Sequence, residues 1–276
     1  MNSGALTFRS RLSGVERFAQ DPSLLDASRR LPQGAYTTFR TYGGRGIVRL
    51  AQHVARLNDT AALLGMSGAE LSEATARAAL GDSLRAAALP ESRVRLTWAA
   101  PDLYITVEPF EPLPEKLYEQ GVRCVTLDVH RENPHAKDTR FIAAASAAYG
   151  ALPDGAHEGL LVGAAGTILE GLSSNFFAVR DGVLRTEEER VLFGVTRSLV
   201  LEVAAGLLPI EPRAVTRDDL ESVSEAFITS VSRGILPVVA IDQHVIGDGR
   251  PGRRTAELRR RFDALVARDV EPVQAY

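Results

Sequence analysis

Between residues 108 and 119 the chain carries Pro109, Pro112 and Pro114 in a background of Glu108, Glu111, Glu115, Lys116 and Glu119. Proline fixes φ and removes a backbone donor, so neither a helix nor a central strand runs comfortably through such a stretch. The 276 residues are therefore expected to divide there. The expected parts are a small α+β domain over residues 1–111, a linker at 112–119 and a larger domain over 120–276. Each part is long enough to bury its own core. Apolar residues at 45% and charged residues at 24% are ordinary globular values and argue against disorder.

Within the first part, residues 34–42 and 47–50 are two β-rich runs around Gly43-Gly44-Arg45-Gly46 and read as a hairpin. No Gly-Lys-Ser/Thr follows these glycines, so they do not read as a phosphate loop. Val54, Leu57, Ala61 and Leu64 mark one face of a helix. Residues 67–88 give a second helix, and residues 93–98 and 103–107 a pair of strands. In the second part, residues 122–127 read as a strand. The small-residue run at 143–148 reads as a helix, and the apolar run at 159–169 as one strand covered on both faces. Asp181-Gly182 marks a hairpin turn between 175–179 and 183–186. Helices are expected at 197–208 and 254–267, with Arg259-Arg260-Arg261 on a solvated face.

With 32 basic against 35 acidic residues the net charge is −3, which gives no support for a nucleic-acid or anionic-membrane partner. The apolar run at 159–169 falls short of the roughly 18 residues a membrane helix needs. The segment from Met1 to Arg9 lacks a basic region followed by an apolar one, so no secretory signal is read there. The single Cys124 excludes intrachain disulfides and cysteine-based zinc cages. A cytoplasmic protein is expected. His53, His130, His135, His157 and His244 are scattered without metal-ligand spacing, and no Gly-x-Ser-x-Gly elbow is present, so neither a metal site nor a serine triad is expected.

Of the 32 basic residues only Lys116 and Lys137 are lysine; the rest are arginine. Arginine cannot lose its proton to become a nucleophile, so a surviving lysine draws attention to its amine. Lys116 lies in the proline-rich linker. Lys137 follows the turn-like Glu132-Asn133-Pro134-His135-Ala136 and precedes the small-residue helix, and is the better candidate for a Schiff-base amine. At an ordinary pKa near 10.4 only roughly one molecule in 2,500 holds a neutral amine at pH 7, so burial or a neighbouring cation such as Arg140 has to lower it. Glu170 ends the apolar run. A carboxylate buried there either protonates, pairs with an arginine or meets a cationic ligand. Gly194-Val195-Thr196-Arg197 opens a helix with Thr196 as its expected N-cap, and Thr229-Ser230-Val231-Ser232-Arg233-Gly234 is a second polar turn after a strand. Each is suited to an anion.

Taken in order, Gly34-Ala35-Tyr36-Thr37-Thr38-Phe39-Arg40, His53-Val54-Ala55-Arg56-Leu57, Lys137, the run from Leu169 to Phe177, Gly194-Val195-Thr196-Arg197 and the run from Phe227 to Val238 resemble the class IV aminotransferases. These are the fold-type IV pyridoxal-phosphate enzymes, which include branched-chain aminotransferases, D-amino-acid aminotransferases and aminodeoxychorismate lyases. The resemblance spans about residues 30–242 of this chain. It implies two α+β domains with pyridoxal 5′-phosphate between them, usually in a homodimer. Lys137 would form the Schiff base and move the proton, and Glu170 would keep the ring nitrogen protonated. Arg56, Val195, Thr196, Ser230 and Ser232 would bind the phosphate. Branched-chain enzymes often place a tyrosine five residues after the lysine, against the phenolic oxygen. Ile142 stands there instead, which leaves Arg140 for that contact. Where those enzymes show Phe-Glu this chain has Tyr36-Thr37, and Thr37-Thr38 is similar to the lyases, in which the second threonine, here Thr38, assists proton handling. Tyr36, Arg40 and Arg95 are the implied substrate residues. The implied activity is transamination between an amino acid and a 2-oxo acid. The alternatives are aminodeoxychorismate lyase and a non-catalytic cofactor-binding protein.

Overall fold

A computed structural model describes residues 4–11, 14–66, 68, 70–129 and 131–273. Ser67, His130 and the chain ends at 1–3 and 274–276, on which some of these expectations fall, lie outside the described residues. The chain forms two compact units. The first comprises Met1–Glu111, Ala136–Ala143 and Asp269–Tyr276, and the second Pro112–His135 and Ala144–Arg268.

The first unit contains β1 (Ala5–Arg11), β2 (Gly14–Asp21), α1 (Leu24–Arg30), β3 (Ala35–Arg40), β4 (Gly46–Val48), α2 (Leu50–Leu63), α3 (Glu73–Ala87), β5 (Ser92–Ala99) and β6 (Asp102–Pro109). Its antiparallel sheet runs β2-β1-β6-β5-β3, which leaves β3 on an edge. Strand β3 alternates strictly. Thr37 and Phe39 face α2, where both meet His53, while Tyr36 and Thr38 occupy the opposite face. The expected hairpin across Gly43–Gly46 is corrected: β3 pairs with β5, from Ala35 opposite Trp98 to Arg40 opposite Arg93. Only a Tyr42–Gly46 bridge closes the glycine turn.

Lys137 falls with the first unit, not with the span 120–276 expected for it. The reason is backbone pairing on the free edge of β3. The Tyr36 N–H donates to the Lys137 carbonyl at 2.9 Å and the Thr139 N–H to the Gly34 carbonyl at 3.0 Å, with an antiparallel bridge between Ala35 and Asp138.

The second unit contains α4 (Glu115–Gln120), β7 (Val122–Leu127), most of α5 (Arg140–Gly150), β8 (Ala156–Val162), β9 (Ile168–Gly171), β10 (Asn175–Arg180), β11 (Val183–Arg185), α6 (Val195–Ala204), β12 (Ile210–Glu211), β13 (Val223–Ser230), β14 (Gly234–Ile241), β15 (His244–Val245) and α7 (Arg253–Asp269). A last strand, β16 (Val270–Pro272), pairs with β4 in the first unit. The central strands run β10-β13-β14-β7-β8-β9, and β9 returns to β10 through Glu170 opposite Asn175, so this sheet closes on itself. Its interior is apolar, with Leu160, Ile168, Phe176, Ile228 and Leu236 all buried.

Three expectations change here. Most of the 112–119 linker is helical: α4 packs Leu117 and Tyr118 on this core. The 159–169 run is two antiparallel strands, because Ala165 and Gly166 take left-handed φ of 56° and 72° in a tight turn between β8 and β9. The N-cap of α6 is Gly194, and Thr196 sits inside the first turn. The expected Asp181-Gly182 hairpin forms between β10 and β11.

Candidate active site

In the first unit the chemistry gathers around β3. Lys137 is held by its backbone, its N–H donating to Thr60 Oγ1 at 3.1 Å, and its Nζ lies 4.8 Å from the centroid of the Tyr36 ring. The Arg95 guanidinium lies 5.0 Å from the same centroid. Arg95 is 7% exposed, and it donates to the Leu24 carbonyl at 3.1 Å, to Ser28 Oγ and, from Nε, to Thr38 Oγ1 at 3.4 Å. All three acceptors are neutral. Burial lowers the Arg95 pKa to about 10, partly offset by Tyr36 and by the Glu108 carboxylate, so the group stays cationic at neutral pH although no carboxylate accepts a hydrogen bond from it.

On the other face of β3, Arg56 Nη2 donates to Thr37 Oγ1 at 2.7 Å, and Thr37 Oγ1 lies 2.7 Å from His53 Nδ1. Burial, and then the charges of Arg56 and Lys137, hold the His53 pKa well below its usual 6.5.

Two of the expected site residues are paired with carboxylates of the protein. Arg40 pairs with Glu91 at 3.5 Å and stacks over Tyr42 and Phe110, a structural cluster. Arg140 is 57% exposed and pairs with Asp138 at the start of α5. Ile142 brings no polar group in its stead.

In the second unit Glu170, 3% exposed, sits at the seam that closes the sheet. Its carboxylate accepts from Arg131 Nη1 at 2.8 Å, Asn175 Nδ2 at 3.2 Å and the Leu192 N–H at 3.1 Å. These donors compensate the buried negative charge. Sequence reasoning left pairing with an arginine open but did not single out Arg131. Asn175 also donates to the Leu192 carbonyl at 2.9 Å, and a Cβ at Gly194 would overlap its side-chain oxygen, so the glycine before α6 is required by the residue that holds Glu170. Helix α6 begins without a side-chain cap, leaving the N–H groups of its first turn without intrahelical acceptors. Ser230, the last residue of β13, and Ser232, in the turn before β14, are both half-buried.

Glu158, fully buried, was also missed. It pairs with Arg233 at 2.9 Å and accepts from Ser174 Oγ at 3.0 Å. It thereby ties the 171–174 turn to the end of the Ser230–Ser232 turn. Only its place on an apolar strand hinted at this.

A family model for class IV amino-transferases matches residues 34–241. The chain belongs to that family. The branched-chain-amino-acid aminotransferase of Pseudomonas aeruginosa is 28% identical over 263 residues, covering 86% of this chain and 85% of that protein. The D-alanine aminotransferase of Bacillus licheniformis is 28% identical over 270 residues, covering 91% and 93%. Among solved structures, a T.th. branched-chain amino acid aminotransferase with pyridoxamine 5′-phosphate superposes with a TM-score of 0.80 at 24% identity over 99% of this chain and 100% of its own. The branched-chain aminotransferase of Thermoproteus uzoniensis gives 0.80 at 23% identity over 98% and 100%. These structures bear on the fold, which is that of fold-type IV.

The chain is a pyridoxal-phosphate-dependent aminotransferase. The groups of each unit suit that cofactor: in the first a lysine amine and a cation bonded to a neutral hydroxyl, in the second an anion compensated by three donors and an uncapped helix start. Among the described residues no helix is long and apolar enough to cross a membrane, and no group of metal-ligating side chains occurs.

Proposed function

We propose that this enzyme exchanges an amino group between an amino acid and a 2-oxo acid, with glutamate and 2-oxoglutarate as one pair. The observation that carries the substrate class is Arg95, a buried cation whose acceptors are all neutral. A desolvated guanidinium of this kind binds a carboxylate strongly. Tyr36 and Thr38, two residues apart on the same face of β3, line that carboxylate subsite, and Thr38 offers its hydroxyl for proton handling.

When bound, the cofactor supplies an electron sink for charge developing at the substrate Cα. The protein supplies the rest. Lys137 would hold the cofactor through its amine and would move the proton at the substrate Cα. Glu170 holds the proton on the ring nitrogen, and Arg131, Asn175 and the Leu192 N–H hold Glu170. Arg56, the Val195 and Thr196 N–H groups and the Ser230 and Ser232 hydroxyls bind the phosphate.

We further infer a homodimer. Helix α5 supports it: the helix is rich in alanine, yet only Ala145 is buried, an apolar surface of the sort a second copy covers. The single, unpaired Cys124 suits a cytoplasmic location.

The test is a half-reaction. Glutamate added without any acceptor releases 2-oxoglutarate stoichiometric with enzyme, and Lys137→Ala abolishes the release. Pyruvate formed from aminodeoxychorismate with no 2-oxo acid present, and no release from glutamate, would instead make the enzyme a lyase. Sedimentation velocity reads the dimer.

A further inference from the structure

Thr37 is fully buried and His53 is 2% exposed, yet neither has a role in the chemistry set out above. A guanidinium can only donate, so Thr37 Oγ1 accepts from Arg56 Nη2. The hydroxyl proton of Thr37 can then go to His53 Nδ1 at 2.7 Å, the arrangement in which the histidine proton sits on Nε2 and the ring is neutral. The Phe39 ring, 5.1 Å away centroid to centroid, packs on the imidazole. His53 and Arg56 lie three residues apart on α2 and so share a face towards β3. In that arrangement a chain of defined polarity runs from the Arg56 guanidinium through the Thr37 hydroxyl to the His53 lone pair.

We propose that Thr37 and His53 are positioning residues that fix the Arg56 guanidinium for the cofactor phosphate. This rests on the reading of Arg56 as a phosphate ligand. Both members of the relay are neutral, so the contact orients Arg56 without drawing on its charge. A carboxylate in the place of Thr37 would orient it equally well but would compete with an anionic ligand for that charge. Bonds in such a chain polarise one another, so the His53 lone pair strengthens the acceptor that Thr37 presents to Arg56.

The experiment measures equilibrium dissociation constants of the apoenzyme for pyridoxal 5′-phosphate and for pyridoxal, which lacks the phosphate, in wild type and in Thr37→Val, Thr37→Ser, His53→Gln and Arg56→Gln. Thr37→Val keeps the shape and removes the hydroxyl. It is expected to weaken pyridoxal phosphate by about tenfold while changing pyridoxal by less than about twofold. Thr37→Ser restores the wild-type ratio. His53→Gln moves the polar group away from the Nδ1 position and lowers the same ratio, which keeps the test available if Thr37→Val does not fold. Arg56→Gln lowers the ratio at least as far. Equal weakening of both ligands by Thr37→Val and His53→Gln, or none, would make these residues merely structural and overturn the proposal. An unchanged ratio in Arg56→Gln would remove Arg56 from the phosphate instead. A lowered ratio in Arg56→Gln alone would leave Arg56 on the phosphate and refute the roles of Thr37 and His53.

Discussion

Arg131→Met tests whether the carboxylate at the sheet seam depends on its buried cation. In the wild type the two side chains are 9% and 3% exposed, and Arg131 Nη1 lies 2.8 Å from Glu170 Oε1. Removing one member of a buried pair strands the other charge and costs about 3–5 kcal/mol. Glu170 would keep the bonds from Asn175 at 3.2 Å and the Leu192 N–H at 3.1 Å. Both donors are neutral and both bonds are longer than the one that is lost, so the loss should fall near the low end, at about 3 kcal/mol. At about 2–4 °C per kcal/mol for a unit of this size, the apo-enzyme should melt about 6–12 °C lower. The cofactor is left out because its binding would add mass-action stability. The only tryptophan, Trp98, lies in the first unit, so calorimetry rather than fluorescence should follow the second. The decisive comparison is Arg131→Met combined with Glu170→Gln, which removes the stranded charge and should be more stable than Arg131→Met alone. If Arg131→Met costs under about 1 kcal/mol, or the double variant is no better than the sum of the singles, the pair is not what holds Glu170.

Gly194→Ala should destabilise by about 1–3 kcal/mol, because the new methyl meets an Asn175 side chain already fixed by Glu170 and Leu192. Asn175→Ala in the same background should recover part of that loss in a thermal-denaturation cycle. Arg95→Gln should raise KM for glutamate and 2-oxoglutarate by about 10- to 100-fold with a smaller fall in kcat; unchanged steady-state constants would remove Arg95 from the substrate carboxylate. His53 stays neutral in the folded state, its pKa held well below 6.5, whereas the unfolded chain protonates there as pH falls. The unfolded state then binds the extra proton, so stability drops as pH falls below about 6.5, by at most about 1.4 kcal/mol per pH unit for this one group. Urea unfolding of the first unit, followed by Trp98 fluorescence at pH 7 and 5.5, should show that slope, and His53→Gln should flatten it.

What could be foreseen of the fold depended on how local its cause was. The β10–β11 turn is written in two adjacent residues, Asp181 and Gly182, and it forms. Strand β3 was legible as a strand, but its partner was not, because Ala35 pairs with Trp98 across two helices, and β4 finds Val270–Pro272 at the far end of the chain. The 159–169 run misled for a different reason. Hydropathy counts Gly163-Ala164-Ala165-Gly166 as apolar, while backbone sterics make the same residues a turn.

The site divides along another line, and one compositional fact explains both its legible and its hidden parts. All but two of the basic residues are arginine, so the amine of Lys137 stood out by rarity. The same bias hid Arg131 among many equals. Position in the sequence does not separate these arginines; the charge of what each one touches does. Arg40 faces Glu91 and Arg140 faces Asp138, so the charge of each is taken up within the protein. Arg131 gives its charge to Glu170 and so serves the site through another residue. Among the described residues Arg95 donates to a carbonyl and two hydroxyls, and Arg56 Nη2 donates to a hydroxyl that lies against a neutral histidine. Bonds from a guanidinium to neutral groups offset less of its desolvation than an anion would. If Arg95 takes the substrate carboxylate as proposed, it is the arginine that gains most when that carboxylate arrives, and Arg56 Nη2 is steered by a hydroxyl.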